Sequence, residues 1–312
     1  MKISVITPVY NAEKYITHAV ESALQFSEVW EIILVEDKSP DNALEVCKQL
    51  TEKFDRVKLY QHPDKGNHGA GASRNLAISK ATGDFIAFLD ADDYYLPNRF
   101  DAERELFENP EVDGVYGAIG VHYYSEKAKE QFFPIFGNKL TTVYKKHNPE
   151  EVFPGQIGMK GSFGLFSIDG LTVRKSAIDK LNPVMQTNLR LHQDTEFLFR
   201  LSYYTKLFPG ILDQAVALRG VHENNRITQV DSGKINPAIS RVLLWNEVER
   251  WSKTEPKMPK NIKLHIGRMA RSWRIAKAPL LKKWGMIFKY LLMDFTSIKS
   301  GLYNINFRKD LF

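Results

Sequence analysis

Four short β-type runs, three of them leading into a polar cluster, constrain the fold of this chain more than any other feature. ISVIT (Ile3–Thr7), EIILV (Glu31–Val35), VKLYQ (Val57–Gln61) and FIAFL (Phe85–Leu89) are rich in branched and aromatic residues and read as buried strands. Helical spacing separates them. Ala12, Ile16, Ala19, Val20 and Ala23 mark a helix from an Asn11 cap to about Leu24, and further helices are expected at Leu44–Phe54 and Ala72–Lys80. Strand–helix alternation of this kind implies a mainly parallel sheet with right-handed crossovers. Ligands of such sheets bind outside the carboxyl ends of the strands. That is where the polar clusters fall: Glu36-Asp37-Lys38-Ser39 after the second run, Gly66–Asn75 after the third, and Asp90-Ala91-Asp92-Asp93 after the fourth.

Beyond Glu111 the pattern loosens. Gly114–Tyr124 reads as one strand and residues 125–160 as a long irregular stretch. Then come Leu171–Arg174, a helix from Lys175 and a helix around Thr195–Tyr204. A helical, basic segment begins near Ala238, interrupted by Pro256 and Pro259.

Charge divides the chain in the same place. Of its 312 residues, 43 are Lys or Arg and 37 are Asp or Glu, a net of +6; from Arg241 onward 16 basic residues face only 5 acidic ones. A mildly acidic body therefore carries a strongly basic C-terminal region. The single cysteine, Cys47, excludes an intramolecular disulfide framework and a cysteine-based zinc site, and suits a reducing compartment. No run approaches 18 uncharged apolar residues, and MKISVITPVY meets a proline before a signal-peptide core could form. The expected location is cytoplasmic, peripheral on the inner face of the membrane if the basic region docks there.

The clusters suggest chemistry, each with a plainer alternative. Carboxylates packed as closely as Asp90, Asp92 and Asp93 repel one another unless a cation sits among them, and hard oxygen ligands suit Mg²⁺ or Mn²⁺. An acidic turn capping a helix near Leu96 would look the same. Glu36-Asp37 can be a helix-capping device. Gly66–Asn75, with Ser73 and Arg74, could offer backbone N–H groups and a guanidinium to a diphosphate, but it has neither the Gly-Lys-Ser/Thr of a P-loop nor a strand directly before it.

Together, TPVYN (Thr7–Asn11), VEDKSPDN (Val35–Asn42), GASRN (Gly71–Asn75) and FLDADDYYLPNRF (Phe88–Phe100) resemble the family 2 glycosyltransferases in order and spacing over about the first 110 residues, with looser resemblance to about Arg226. The resemblance implies a GT-A fold: a Rossmann-like, mainly parallel mixed sheet with flanking helices, here with a C-terminal helical extension. Residues 1–110 would form the nucleotide-sugar half, 111–237 the acceptor half and 238–312 the extension. It implies that Pro8, Tyr10 and Asn11 line the nucleoside pocket, that Asp37 accepts from the base edge, and that Arg74 approaches the phosphates. Glu36 stands where the family usually has Asp. Asp90 and Asp92 would be the DxD pair, Asp92 the ligand of Mn²⁺ or Mg²⁺ and Asp90 nearer the ribose or sugar, with Asp93 a helper. In LHQDTEF (Leu191–Phe197) the family's catalytic base aligns with Asp194, with Gln193 replacing the usual Glu and Glu196 a poorer candidate. His222, in a segment like the family's Arg-x-x-His, would help hold diphosphate or metal, followed by Arg226-Ile227-Thr228.

The activity implied is inverting transfer of a sugar from a nucleotide-diphosphate sugar, UDP-linked, to a hydroxyl of a glycan or lipid-linked acceptor. Two other readings stay open on sequence: a sugar nucleotidyltransferase, which would need a glycine-rich basic loop where Pro8-Val9-Tyr10-Asn11 stands, and a binding protein with a decayed site. In the basic region Leu280, Leu281, Trp284, Ile287, Phe288, Leu291, Leu292 and Phe295 keep helical spacing against Lys282, Lys283 and Lys289. Such a helix can lie in an anionic membrane surface or pack its stripe on the catalytic domain. No nucleic-acid recognition motif accompanies the basic residues, so nucleic acid is not expected as a partner.

Overall fold

The computed structural model describes residues 1–159, 163–223, 225 and 237–294. Arg226, Ile227, Thr228 and Phe295 lie outside the described residues, as do the side chains of Leu280, Leu281 and Leu291.

The four apolar runs are strands: β1 (Ile3–Val9), β2 (Val29–Glu36), β3 (Val57–Gln61) and β4 (Phe85–Phe88). They pair in parallel, β1 with both β2 and β4, and β2 with β3. Residues alternate between two buried faces, as a sheet covered on both sides requires. Ile3, Val5 and Val9 of β1 join Ile32, Leu34 and Ala87 in one core, whereas Ile6 joins Ile33, Val35, Ile86 and Phe88 in the other. Helix α1 (Ile16–Leu24) covers the first face with Ile16, Ala19, Val20 and Ala23, and α2 (Ala43–Lys53) adds Cys47 and Leu50. Helix α3 (Ala70–Lys80) covers the second with Ala77 and Ile78.

Two antiparallel pairings extend the sheet. β8 (Leu171–Arg174) pairs with β4 and with β6 (Gly114–Tyr116), which pairs in parallel with β9 (Leu207–Pro209). The order is β3-β2-β1-β4-β8-β6-β9. The chain moves outward from β1 to β3 and then returns to lay β4 on the other side of β1. The gap beyond the carboxyl ends of β1 and β4 is therefore the switch point where such folds bind ligands. A second sheet, β5-β10-β7, joins β5 (Tyr94–Tyr95), β10 (Ala215–Val221) and β7 (Ala118–Tyr123).

The expected single strand at Gly114–Tyr124 is two. It breaks at Gly117, whose N–H donates to the Gly170 carbonyl at 2.8 Å, and a Cβ on Gly170 would sit 2.4 Å from the Gly117 oxygen. The two backbones touch there, which only glycine permits. Asn11 does not cap α1; its φ is +54° and the helix begins at Ile16. The helix expected near Leu96 begins at Asp101 as α4 (Asp101–Leu106), because Tyr94 and Tyr95 pair with Leu218 and Ala217 instead. The stretch 125–160 holds two helices, α5 (Glu126–Phe136) and α6 (Pro149–Gln156). A short α7 (Lys175–Ile178) and then α8 (Gln193–Tyr204) follow.

The chain divides into two compact units, Met1–Arg190 with Phe197–Asn225, and Leu191–Glu196 with Arg226–Phe312. In the second, α9 (Pro237–Thr254), α10 (Lys260–Lys277) and α11 (Leu280–Met293) are separated at the prolines. Arg274 pairs with Glu249, and the Arg241 guanidinium lies 5.1 Å from the Trp273 ring, joining α9 to α10. No helix among the described residues is long and apolar enough to cross a membrane.

Candidate active site

The chain leaves β1 through Pro8, Val9 and Tyr10 into Asn11, whose left-handed φ turns the backbone over the next strand end. The Asn11 N–H donates to Ser39 Oγ at 3.3 Å, and the Asp37 N–H to the Val9 carbonyl at 2.9 Å. Tyr10 stays largely exposed. Glu36 acquires a definite part. Its two carboxylate oxygens accept from the Ser39 N–H and from Gln61 Nε2 at 2.7 Å, so it shapes the turn and ties it to β3.

Asp37 is buried, and both of its oxygens already accept at 2.7 Å, one from the His68 N–H and the other from the Gly69 N–H. Asn67 donates back to the Asp37 carbonyl at 2.8 Å. The residue expected at a base edge thus also fastens the Gly66–Asn75 loop, leaving its remaining lone pairs for a ligand. Gly69, at φ +86°, is the cap of α3.

Arg74, one turn into α3, is buried and its Nη2 donates to Asp90 Oδ1. Asp90 takes its place just past β4, where its N–H donates to Asp169 Oδ1 at 2.9 Å. Asp169 is a residue that sequence reasoning missed. It precedes β8, and the Ser167 hydroxyl donates to its Oδ2 at 2.9 Å. Oxygens of Asp90, Asp93 and Asp169 all lie within 4.8 Å of one another. Burial, reinforced by repulsion from neighbouring carboxylates, pushes Asp93 and Asp169 above the ordinary range. Three such groups stay together only by holding protons or a cation. The donor set is entirely carboxylate oxygen, the chemistry that fits Mg²⁺ or Mn²⁺.

Asp92, expected to bind the metal, is not part of that trio. Its Oδ2 faces His222 Nε2 at 3.1 Å and accepts from Asn225 Nδ2 at 2.9 Å. Tyr15 stacks on the His222 ring at 4.5 Å, and the Tyr124 hydroxyl donates to the Asp92 carbonyl at 3.1 Å. β10 presses against this loop so closely that a Cβ on Gly220 would lie 2.0 Å from the Asp92 oxygen. The Gly220 N–H in turn donates to Asp93 Oδ1 at 2.9 Å.

The structure therefore brings Arg74, Asp90, Asp92 and His222 into one connected set, adds Asp93, Asp169 and Asn225, and places Pro8, Tyr10, Asn11 and Asp37 on the neighbouring strand ends. Asp194 belongs to the second unit. It is half-buried in the first turn of α8, and its Oδ1 accepts from the Thr195 N–H at 2.7 Å. Burial lowers the pKa of the adjacent His192, against the pull of Asp194. Gln193 is buried, with no hydrogen-bond partner for its Oε1 among the described residues, and Glu196 is fully enclosed.

A doubly wound sheet with acidic residues at its switch point and an antiparallel extension places the molecule in the GT-A fold class. Solved structures of that shape include the Staphylococcus aureus TarS 1–349 complex with UDP-GlcNAc, at TM-score 0.64 and 18% identity over 95% of this chain and 81% of that one. A mannosyltransferase from Pyrobaculum calidifontis, in complex with GDP-Man and Mn²⁺, superposes at TM-score 0.56 and 13% identity over 99% and 86% of the two chains.

The model of glycosyl transferase family 2 matches residues 4–164, and the chain belongs to that family. An uncharacterized glycosyltransferase of Nostoc sp. is 29% identical over 231 residues, 72% of this chain and 66% of its own. A Haemophilus influenzae glycosyltransferase is 40% identical over 102 residues, 32% and 40% of the two. The chain thus spans less than two thirds of the length of these curated relatives. The poly(ribitol-phosphate) beta-glucosyltransferase of Bacillus spizizenii is 40% identical over 97 residues, 30% of this chain and 15% of its own.

Proposed function

We propose that this protein transfers a sugar, with inversion, from a UDP-linked donor to a hydroxyl of a glycan or lipid-linked glycan, in the synthesis of a cell-surface polysaccharide or glycoconjugate at the inner face of the membrane. The observation that carries this reading is the meeting of Arg74 with Asp90, Asp93 and Asp169 at the switch point. A nucleoside diphosphate departs only where its charge is neutralised, and a guanidinium beside a cation-binding carboxylate set supplies that.

On this reading Pro8, Tyr10 and Asn11 flank the nucleoside, Asp37 meets the base edge, and Arg74 turns from Asp90 toward the phosphates. Asp90 meets the ribose or sugar. Asp92, held by His222 and Asn225, is directed at the metal together with the acidic trio. A bound Mn²⁺ or Mg²⁺ would act as a Lewis acid on the leaving diphosphate. Asp194, at the positive end of a helix, takes the proton from the acceptor hydroxyl. A single displacement from the opposite face inverts the anomeric carbon. UDP-GlcNAc in TarS and GDP-Man with Mn²⁺ in the Pyrobaculum enzyme support a nucleotide-sugar donor and a metal. The Bacillus spizizenii relative supports a cell-surface polymer as acceptor.

The test is Asp194→Asn and Asp92→Ala, assayed with a panel of nucleotide sugars for transfer and for donor binding. Asp194→Asn should keep donor binding and lose about 10²–10⁴ in kcat, the usual share of a general base. Asp92→Ala should weaken donor binding in the presence of Mn²⁺. Full transfer by Asp194→Asn would sink the base assignment.

A further inference from the structure

Among the described residues, helix α11 is docked by one side only. At its C-terminal end Asp294 receives Arg268 Nε at 2.8 Å and Arg271 Nη2 at 3.0 Å, both from α10. The Arg271 guanidinium lies 5.8 Å from the Tyr290 ring, and Lys283 is buried. Lys283, Tyr290 and Asp294 therefore define the inner side.

The opposite side, among the described residues, is apolar and open. Trp284, Phe288 and Leu292 are 62%, 66% and 76% exposed, and Met293 beside them is 67% exposed. Their i, i+4, i+8 spacing makes Trp284, Phe288 and Leu292 one stripe. Isolated exposed apolar residues need no explanation, but a continuous aromatic and aliphatic stripe marks an interaction surface.

Charge identifies the partner. Lys282 and Lys289, seven residues apart and both exposed, border one edge of the stripe, and Lys257, Lys260 and Lys277 are exposed in the same unit. Between Glu255 and Asp294 there are ten basic residues and no acid. Of these, Arg268 and Arg271 are engaged by Asp294, and Arg274 by Glu249. Lys282 and Lys289 remain as a positive edge along the apolar stripe, in a unit whose other exposed lysines add to its charge. A protein partner would supply scattered acids; a bilayer with anionic headgroups supplies a continuous negative sheet above hydrocarbon. A tryptophan at the edge of such a stripe suits the headgroup boundary.

We infer that α11 lies in the interface of an anionic membrane, inserting Trp284, Phe288 and Leu292 while Lys282 and Lys289 meet lipid phosphates. This deepens the placement at a membrane proposed above by naming the surface that makes it. It does not depend on sugar transfer, because vesicle binding is read without any nucleotide sugar.

The experiment is co-sedimentation of the full chain with vesicles of phosphatidylcholine alone and of phosphatidylcholine with 30 mole per cent phosphatidylglycerol. Binding should be at least tenfold stronger to the anionic vesicles and fall as NaCl rises from about 0.05 to 0.5 M, as a screened interaction does. The exposed triple W284S/F288S/L292S should lower the bound fraction at least tenfold with an unchanged melting temperature. K282E/K289E should remove most of the dependence on phosphatidylglycerol. No binding to anionic vesicles by the full chain overturns the proposal, as does undiminished binding by the serine triple. A chain ending at Asp294 should still bind; loss of binding there with the triple unaffected would assign the contact to residues 295–312 and overturn it. A dimer dissolved by the triple, without vesicle binding, would show that the stripe serves a second copy.

Discussion

Asp169 carries more of the site than its surroundings in the sequence suggest. Its Oδ1 receives the Asp90 N–H and its Oδ2 the Ser167 hydroxyl, so it positions the first aspartate of the DxD loop while sharing the carboxylate trio. Asp169→Asn keeps an oxygen for the Asp90 N–H but removes a charge. Mn²⁺ affinity in the presence of UDP should fall about 10–100-fold, the usual range for groups that support a metal site. Titration calorimetry or Mn²⁺ spin resonance reads this directly, and an unchanged affinity would exclude Asp169 from the metal's surroundings. Most of the candidates named from the sequence sit at the ends of local strands, where an apolar run followed by acids can be read within a few positions; Arg74 and Asp194 instead lie in the first turns of helices. Asp169 and Asn225 were not legible, because they reach Asp90 and Asp92 from 79 and 133 residues away. Asp37 could be named from the sequence as a candidate, but the part the structure shows, fastening residues 68 and 69 by their backbone N–H groups, needed the loop's fold.

Among the elements, those with unbroken periodicity were the readable ones. β1, β2, β3 and β4 fall within a residue or two of the apolar runs that announced them. Helices α5 and α6 did not stand out because Pro134 and Pro154 lie inside them, where proline normally argues against a helix. Their start signals were present: Ser125 accepts from the Ala128 N–H, and Asn148 and Glu151 form a capping box. β2 also hides a polar clamp. Glu31, buried in an apolar strand, accepts from Ser4 Oγ, Lys58 Nζ and the Thr82 N–H, each at 2.6 Å, binding β1, β2 and β3 to the turn before β4. Burial alone would raise its pKa, but the bonds from Lys58, Ser4 and Thr82 outweigh burial and bring it down from 4.5 to about 2. A carboxylate depressed in the folded state stabilises fully above its unfolded pKa, and that contribution is lost as pH falls through the folded one. Glu31→Gln should therefore cost about 1–3 kcal/mol at neutral pH. The gap from the parent protein, measured as urea midpoints, should narrow from about pH 4.5 toward pH 2; a constant gap would show that shape, not charge, is what Glu31 contributes.

At the scale of the whole molecule, the two units divide the labour of measurement as well as of charge. Every residue of the proposed donor site, from Pro8 to His222 and Asn225, lies in the first unit, whereas four of the five tryptophans, Trp245, Trp251, Trp273 and Trp284, lie in the second. Intrinsic fluorescence therefore reports chiefly on the basic helices, and only Trp30 reports on the unit that would hold the nucleotide. A ligand stabilises what it binds by mass action, about 2.7 kcal/mol at one hundred times its dissociation constant. For a unit of roughly 200 residues that is a rise of about 5–10 °C in its melting temperature. UDP with Mn²⁺, each near that excess, should move the calorimetric transition of the first unit upward by that amount. UDP with a chelator should move it much less, since the carboxylate trio would then repel the diphosphate instead of sharing a cation with it. Arg74→Ala should reduce the shift, because it removes the buried guanidinium that faces Asp90. A full shift in the presence of chelator would mean that the nucleotide is held without the metal. The acidic trio would then be a proton-sharing support of the fold, and neutralisation of the diphosphate would rest on Arg74 alone.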